Sequence, residues 1–152
     1  IDDGRQFLKK SRDRYDQIWL DAFNSDYIPS HMTTKEFLTL ARSRLTEGGI
    51  VIQNLFCGNR LYDAQIATFR SVFAKVFVFE GQRSGSCVIV GSDRPATDPA
   101  GLRKLAESMG GRIGRINLME ETVKCKVPPA GKKAPILTDD FNPANLLLME
   151  KN

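Results

Sequence analysis

The chain has 152 residues, the length of one domain or a large part of one. Hydrophobic residues make up 41% and charged residues 26%, the balance of a soluble globular protein, and no run is long and apolar enough to span a membrane. The net charge of +4, from 22 basic and 18 acidic residues, is mild and scattered, and no nucleic-acid motif accompanies it, so a nucleic-acid partner is not expected.

The sequence begins at Ile1, shows no signal peptide, and opens almost at once on a turn-like Asp2-Asp3-Gly4. An N-terminal part of a larger protein is expected to precede it. Gly4 to about Arg12 reads as a short helix with Phe7 and Leu8 inward. Asp3 can cap it by accepting backbone N–H bonds. Tyr15 to Leu20 is the first strand, apolar enough at Ile18 and Trp19 to be covered on both faces. Trp19 is expected in the core.

A polar loop from Asp21 to Ser30 follows, stiffened by Pro29. Thr33 or Thr34 caps the next helix, which is expected to run to about Thr46 with Phe37, Leu38, Ala41 and Leu45 inward. Glu47-Gly48-Gly49 ends it, glycine supplying a positive φ. Gly49 to Phe56 is a second buried strand, and Tyr62 to about Ala74 a helix with Ile66, Phe69, Val72 and Phe73 inward. Val76–Phe79 and Ser86–Gly91 are two strands whose short connection predicts an antiparallel hairpin. Pro99 to about Met109 is a helix stopped at Gly110-Gly111, and a short helix is expected near Leu118 to Val123. Pro128 to Pro135 is a loop. The tail carries Leu137-Thr138-Asp139-Asp140-Phe141-Asn142-Pro143 and an apolar Leu146-Leu147-Leu148.

Strands alternating with helices predict α/β layers and a mainly parallel sheet, with the antiparallel hairpin at its end. The G-x-G-x-x-G turn of a nucleotide-binding domain is missing. Gly110-Gly111-Arg112-Ile113-Gly114 follows a helix and reads as a helix stop. Cys57, Cys87 and Cys125 contain no Cys-x-x-Cys pair and read as free thiols in a reducing cytoplasm. With His31 the one histidine, a His/Cys metal site is not expected.

In open α/β sheets ligands bind at the carboxyl ends of strands, and Asp21 is placed at such an end. On the residues alone it is either a site carboxylate or a loop cap. Asp26 reads as a turn residue, His31 as loop packing, and Asp139-Asp140 as a capping pair; lining a pocket is the alternative for the last two aspartates.

Several segments together resemble the C-terminal half of spermidine synthase-like proteins, the polyamine aminopropyltransferase family. They are Asp3-Gly4-Arg5-x-Phe7-Leu8, Tyr15-Asp16-x-Ile18-x-x-Asp21-Ala22-Phe23, Pro29-x-His31-Met32-Thr33-Thr34-x-Glu36-Phe37 and Leu45-x-x-Gly48-Gly49. Thr68-Phe69-Arg70-x-Val72-Phe73 and Leu137-Thr138-Asp139-Asp140-Phe141-x-Pro143 continue the series in the right order.

The resemblance implies part of a Rossmann-like, class I methyltransferase-type fold. Residues 1–152 would form one domain, the C-terminal portion, with the nucleotide-binding half absent. It implies transfer of an aminopropyl group from decarboxylated S-adenosylmethionine, a donor co-substrate rather than a tightly bound cofactor, to an amine such as putrescine. Asp21 then matches the catalytic aspartate, and Asp3 with Gly4 the contact to the donor's adenine amino group. Asp26 and Tyr27 would orient the amine. The partners implied are a polyamine and a nucleoside, with no metal, no nucleic acid and no membrane, in a cytoplasmic homodimer.

The chain departs from the family's Asp-Ser-Ser-Asp-Pro pattern. Its second carboxylate, Asp26, stands five positions after Asp21 rather than three, and Pro29 is later still. An S-adenosylmethionine-dependent methyltransferase and a non-catalytic domain of the same fold are the competing expectations.

Overall fold

The structure, a computed structural model, describes residues 3–22, 27–81, 85–94, 98–129 and 133–150. Helix α1 (Gly4–Lys10) starts where Asp3 accepts a hydrogen bond from the Gln6 N–H at 2.9 Å, which satisfies one of the orphan donors of a helix N-terminus. Lys9 and Lys10 in its last turn complement the helix dipole. Leu8 is buried as expected, but Phe7 is 50% exposed.

Strand β1 (Tyr15–Leu20) lies parallel to β2 (Leu45–Phe56). Helix α2 (Lys35–Ser43) joins them, capped by Thr34 through the Phe37 N–H. Here the expected boundary moves. Leu45 to Gly49 belongs to the strand and not to the helix. Between the Tyr15–Leu45 and Gln17–Ile50 pairs β2 advances five residues while β1 advances two, so the extra residues bulge. Gly48 takes its φ of 76° inside this bulge. A Cβ on Gly49 would sit 3.0 Å from the Tyr15 carbonyl oxygen. The two glycines therefore serve the bulge and the close approach of β1, rather than a helix cap.

Helix α3 (Arg60–Arg70) crosses from β2 to β3 (Lys75–Glu80). It begins two residues earlier than the sequence suggests, because Asn59 caps it through the Tyr62 N–H. Strand β4 (Ser86–Ser92) then returns antiparallel to β3, as the short Gly81–Gly85 connection requires. A two-residue β7 (Cys125–Lys126) pairs with the far side of β3.

The sheet order is β1-β2-β4-β3-β7. Strands β1, β2 and β3 run in one direction, which is the sense in which the sheet is mainly parallel. The hairpin is not an appendage at the end. Strand β4 lies between β2 and β3 and is antiparallel to both. The α3 crossover leaves a one-strand gap beside β2, and β4 is the strand that can fold back into it without a second crossover.

Alternation along the strands sends Leu20, Val51, Leu55, Val78, Cys87 and Ile89 to one face, where they meet Phe37, Leu38, Ala41, Ile66 and Phe69 of α2 and α3. Trp19 points to the other face and is 66% exposed. That corrects the expectation of a core tryptophan: β1 is an edge strand, and the helices α2 and α3 cover only the face opposite its ring.

The tail is structural. Lys35 N–H donates to the Leu137 carbonyl at 2.8 Å, and Leu137 N–H donates to Thr68 Oγ1 at 3.0 Å. Leu137, Ala144 and Leu147 of the tail and α6 (Ala144–Met149) bury against Leu61, Ala64 and Ile28. Between β4 and β7 stand α4 (Pro99–Ser108), a hairpin of β5 (Arg112–Ile113) and β6 (Ile116–Asn117), and α5 (Leu118–Val123). The glycine-rich 110–114 stretch is the helix stop that the sequence suggests, and it continues into the turn of the β5–β6 hairpin, which the sequence does not suggest, with positive φ at Gly110, Gly111 and Gly114.

Candidate active site at the carboxyl ends of β1 and β2

Asp21 follows the last residue of β1 and is exposed. The parallel register sets Leu20 beside Gln53, so Asp21 emerges next to Asn54. Asn54 Nδ2 donates to Asp21 Oδ1 at 3.3 Å. One oxygen is thus tethered at the strand end while the carboxylate stays open to solvent, the condition for meeting a charged substrate and taking a proton from it.

Tyr27 closes the loop after Asp21 and is 54% exposed. Its position is set by its neighbour. Ile28 is buried in the tail cluster, and its N–H donates to Asn145 Oδ1 at 3.1 Å. A cavity of about 10 Å³ is lined by Leu20, Ala22, Ile28, Pro29, Met32 and Gln53. Gln53 is only 2% exposed, and its Oε1 has no partner among the described residues. Asp26 lies outside the described residues.

At the start of α1 four segments meet: α1 itself, the 30–32 turn, α2 and the tail. Asp3 Oδ1 takes the Gln6 N–H, and its Oδ2 lies 2.7 Å from His31 Nε2. An ionised carboxylate only accepts, so this imidazole nitrogen carries the hydrogen. The Gln6 N–H first, and then His31, lower the Asp3 pKa below its ordinary value. Arg5 places a two-pronged contact on Asp139, Nη1 to Oδ1 at 2.8 Å and Nη2 to Oδ2 at 2.5 Å, the fork geometry that suits a guanidinium. Arg5 Nη1 also donates to the His31 carbonyl at 3.0 Å. The Asp139 N–H donates to Glu36 Oε2 at 2.9 Å.

These contacts correct two expectations. His31 does not pack in a loop; its ring is half-exposed and bonded to Asp3. Asp139 does not cap the terminal helix, whose first N–H, that of Ala144, donates to Asn142 Oδ1; it holds Arg5. The signal was present in the sequence only as Arg5 and Asp139 standing inside two of the matching segments. Nothing local predicts that residues 134 positions apart meet.

Gly4 lines one end of an apolar groove of about 240 Å³ along β1, with Phe7, Ile18, Trp19, Leu20 and Met32. Leu20 and Met32 line both this groove and the small cavity beside Ala22 and Ile28. Gly4 on one side and Ala22 and Ile28, the chain neighbours of Asp21 and Tyr27, on the other thus share Leu20 at the end of β1. A cavity of about 800 Å³ beside Arg42, Gly48, Asp93 and Arg94 lies at the opposite end of β2 from Asn54. Among the described residues no group of three His, Cys, Asp or Glu side chains is placed to hold a metal ion.

No family model matches the chain. It is 34% identical to the polyamine aminopropyltransferase of Vibrio vulnificus (strain CMCP6) over 152 residues, covering 95% of this chain and 51% of that protein. It is 30% identical to a probable polyamine aminopropyl transferase of Bifidobacterium longum, covering 97% of this chain and 37% of that one. A probable spermidine synthase from Corynebacterium glutamicum matches in structure with a TM-score of 0.53 at 23% identity, over 88% of this chain and 54% of the other. Human methyltransferase-like protein 13, solved in complex with SAH, matches with a TM-score of 0.59 at 22% identity, over 92% and 64%.

At such identities the two structures speak for the fold, and the Rossmann-like α/β expectation is borne out. The sequence relatives speak for the resemblance. The chain is similar to polyamine aminopropyltransferases, corresponds to a C-terminal segment of them, and spans about half the length of the first of these relatives and less of the second.

Proposed function

We propose that these residues are the C-terminal portion of an aminopropyltransferase that moves an aminopropyl group from decarboxylated S-adenosylmethionine to an amine such as putrescine. The observation that carries the reading is the exposed Asp21, tethered by Asn54 at the carboxyl end of β1. A polyamine is a flexible cation, and it cannot attack while its reacting nitrogen is an ammonium without a lone pair. Asp21 takes that proton. The nitrogen then attacks the methylene carbon bound to the sulfonium. The new C–N bond forms as the C–S bond breaks, and the bonding pair stays on sulfur, which leaves as a neutral thioether. The leaving group needs no acid and the reaction needs no metal. Positioning the two reactants is the remaining requirement, worth roughly 7–11 kcal/mol in well-oriented systems.

In this scheme Tyr27 and Asp26 orient the amine, and Asp3 with Gly4 takes the adenine end of the donor. Residues 1–152 act as one piece of a larger Rossmann domain. Two features support that division. On the face of the sheet opposite α2 and α3, Trp19 at the β1 edge is exposed while its neighbour Ile52 and Phe77 further in are buried, whereas parallel strands are ordinarily covered on both sides. Among the described residues, the outer edge of β1 also has no strand beside it in the sheet order. The three free thiols suit a reducing cytoplasm.

The rival is a methyltransferase on the same fold using ordinary S-adenosylmethionine. The test incubates the longest natural chain containing these residues with putrescine and each donor in turn and weighs the amine product. An aminopropyl increment is expected. A methyl increment, or no product with either donor, overturns the reading.

A further inference from the structure

We propose that Arg5 and Asp139 are positioning residues for the nucleobase end of the donor site, acting through Asp3 and His31; this rests on the donor-binding reading of Asp3. Both Asp3 oxygens are already engaged, one by the Gln6 N–H and one by His31 Nε2. Each carboxylate oxygen accepts more than one hydrogen bond, and the Asp3 side chain is 39% exposed. An exocyclic amino group can therefore reach this carboxylate from solvent. The direction of its oxygens is set by what holds the carboxylate.

That support leads to the tail. His31 orients Asp3 Oδ2, and the His31 backbone is held through its carbonyl by Arg5 Nη1. Arg5 also stands in the first turn of α1, directly after the Asp3–Gly4 pair. Its side chain is mostly buried, and its Nε has no partner among the described residues. The fork onto Asp139 is the contact that fixes the guanidinium. Asp139 is fixed in turn by its N–H on Glu36 of α2 and by the Thr138–Phe141 turn, in which Thr138 N–H meets the Phe141 carbonyl and Phe141 N–H meets Thr138 Oγ1. The tail thus orients a carboxylate near the start of the chain. Loss of the fork frees Arg5, lets the 30–32 turn shift, and turns the Asp3 carboxylate away from its target.

The role predicts a readout that a purely stabilising ion pair would leave alone. An acceptor aimed at an amino group favours an adenine base over its 6-oxo counterpart. The test measures binding of 5′-methylthioadenosine and 5′-methylthioinosine by calorimetry to the longest natural chain containing these residues. The wild type is expected to prefer the amino nucleoside by at least about tenfold, the scale of one net hydrogen bond. Asp139→Ala should bring the preference close to unity while the KM for the amine stays the same, and Asp139→Glu should restore part of it. Arg5→Lys keeps a positive charge without the fork, guards against a misfolded alanine variant, and should also lose the preference. An unchanged preference in Asp139→Ala and Arg5→Lys overturns the inference and leaves the Asp3 reading intact. A wild type without preference, or without binding, overturns both.

Discussion

Asn54 Nδ2 donates to Asp21 Oδ1 at 3.3 Å across the adjoining ends of β2 and β1. The contact follows from the parallel register that sets Leu20 beside Gln53. It makes the orientation of an exposed carboxylate a property of the sheet and not of the loop behind it. The amide partner is neutral, so the carboxylate keeps its charge for a cationic substrate.

The Arg5–Asp139 pair makes stability depend on acid pH. The hydrogen bond from Arg5 is the largest influence holding the Asp139 pKa below its ordinary 3.8. A carboxyl whose folded pKa is depressed binds its proton more readily in the unfolded chain. Its contribution is complete above the unfolded pKa and is lost as pH falls through the folded one. Hydrogen bonds to charged groups are worth about 1.5–3 kcal/mol, and the 42% exposure of this carboxylate reduces that toward about 1 kcal/mol. Urea unfolding of Asp139→Asn should show a loss of that size near neutral pH, shrinking well below pH 3.8. An equal loss at both pH values would assign the effect to packing.

Gly91 is a packing glycine. A Cβ there would sit 2.4 Å from Phe73 Cδ2, and Phe73 is buried. Gly91→Ala should cost about 1–3 kcal/mol through overpacking. Adding Phe73→Leu should recover part of the loss, because the second change removes the ring that the methyl strikes. Additive losses in a denaturant-based double-mutant cycle would contradict this.

Leu137 joins the tail to the main body. It is fully buried among Leu61, Ala64 and Leu147, with both backbone groups bonded. Leu137→Ala should destabilise by about 2–5 kcal/mol. Amide exchange around Asp139 should accelerate with it, since Asp139 stands two residues on. A loss under about 1 kcal/mol would mean that the tail is not part of the cooperative unit.

The helices and strands were legible where the signal is local. Asp3 and Thr34 cap helices through the side-chain bonds that the sequence points to, and the short β3–β4 connection dictated a hairpin. What was not legible depends on neighbours in space. The Gly48-Gly49 pair has the composition of a helix cap, but the approach of Tyr15 makes it a bulge. Trp19 carries a core residue's chemistry on a face that α2 and α3 do not cover. The insertion of β4 beside β2 is decided by an open gap in the sheet, which no spacing encodes.

The candidate site divides the same way. Asp21 could be placed from the sequence because it ends a strand. Asn54 could not, since its role depends on register. The His31–Asp3 and Arg5–Asp139 contacts join segments that only the fold brings together.

The most direct test of Asp21 as the base is the single-turnover rate of aminopropyl transfer to putrescine, for wild type and Asp21→Asn, across alkaline pH. General-base catalysis contributes about 10²- to 10⁴-fold, so the variant should be slower by that order near neutral pH. The deficit should shrink as pH approaches the free amine's own pKa, near the roughly 10.4 of a lysine side chain, because the attacking nitrogen then arrives deprotonated. A variant as fast as wild type, or a deficit of the same size at every pH, would contradict the account.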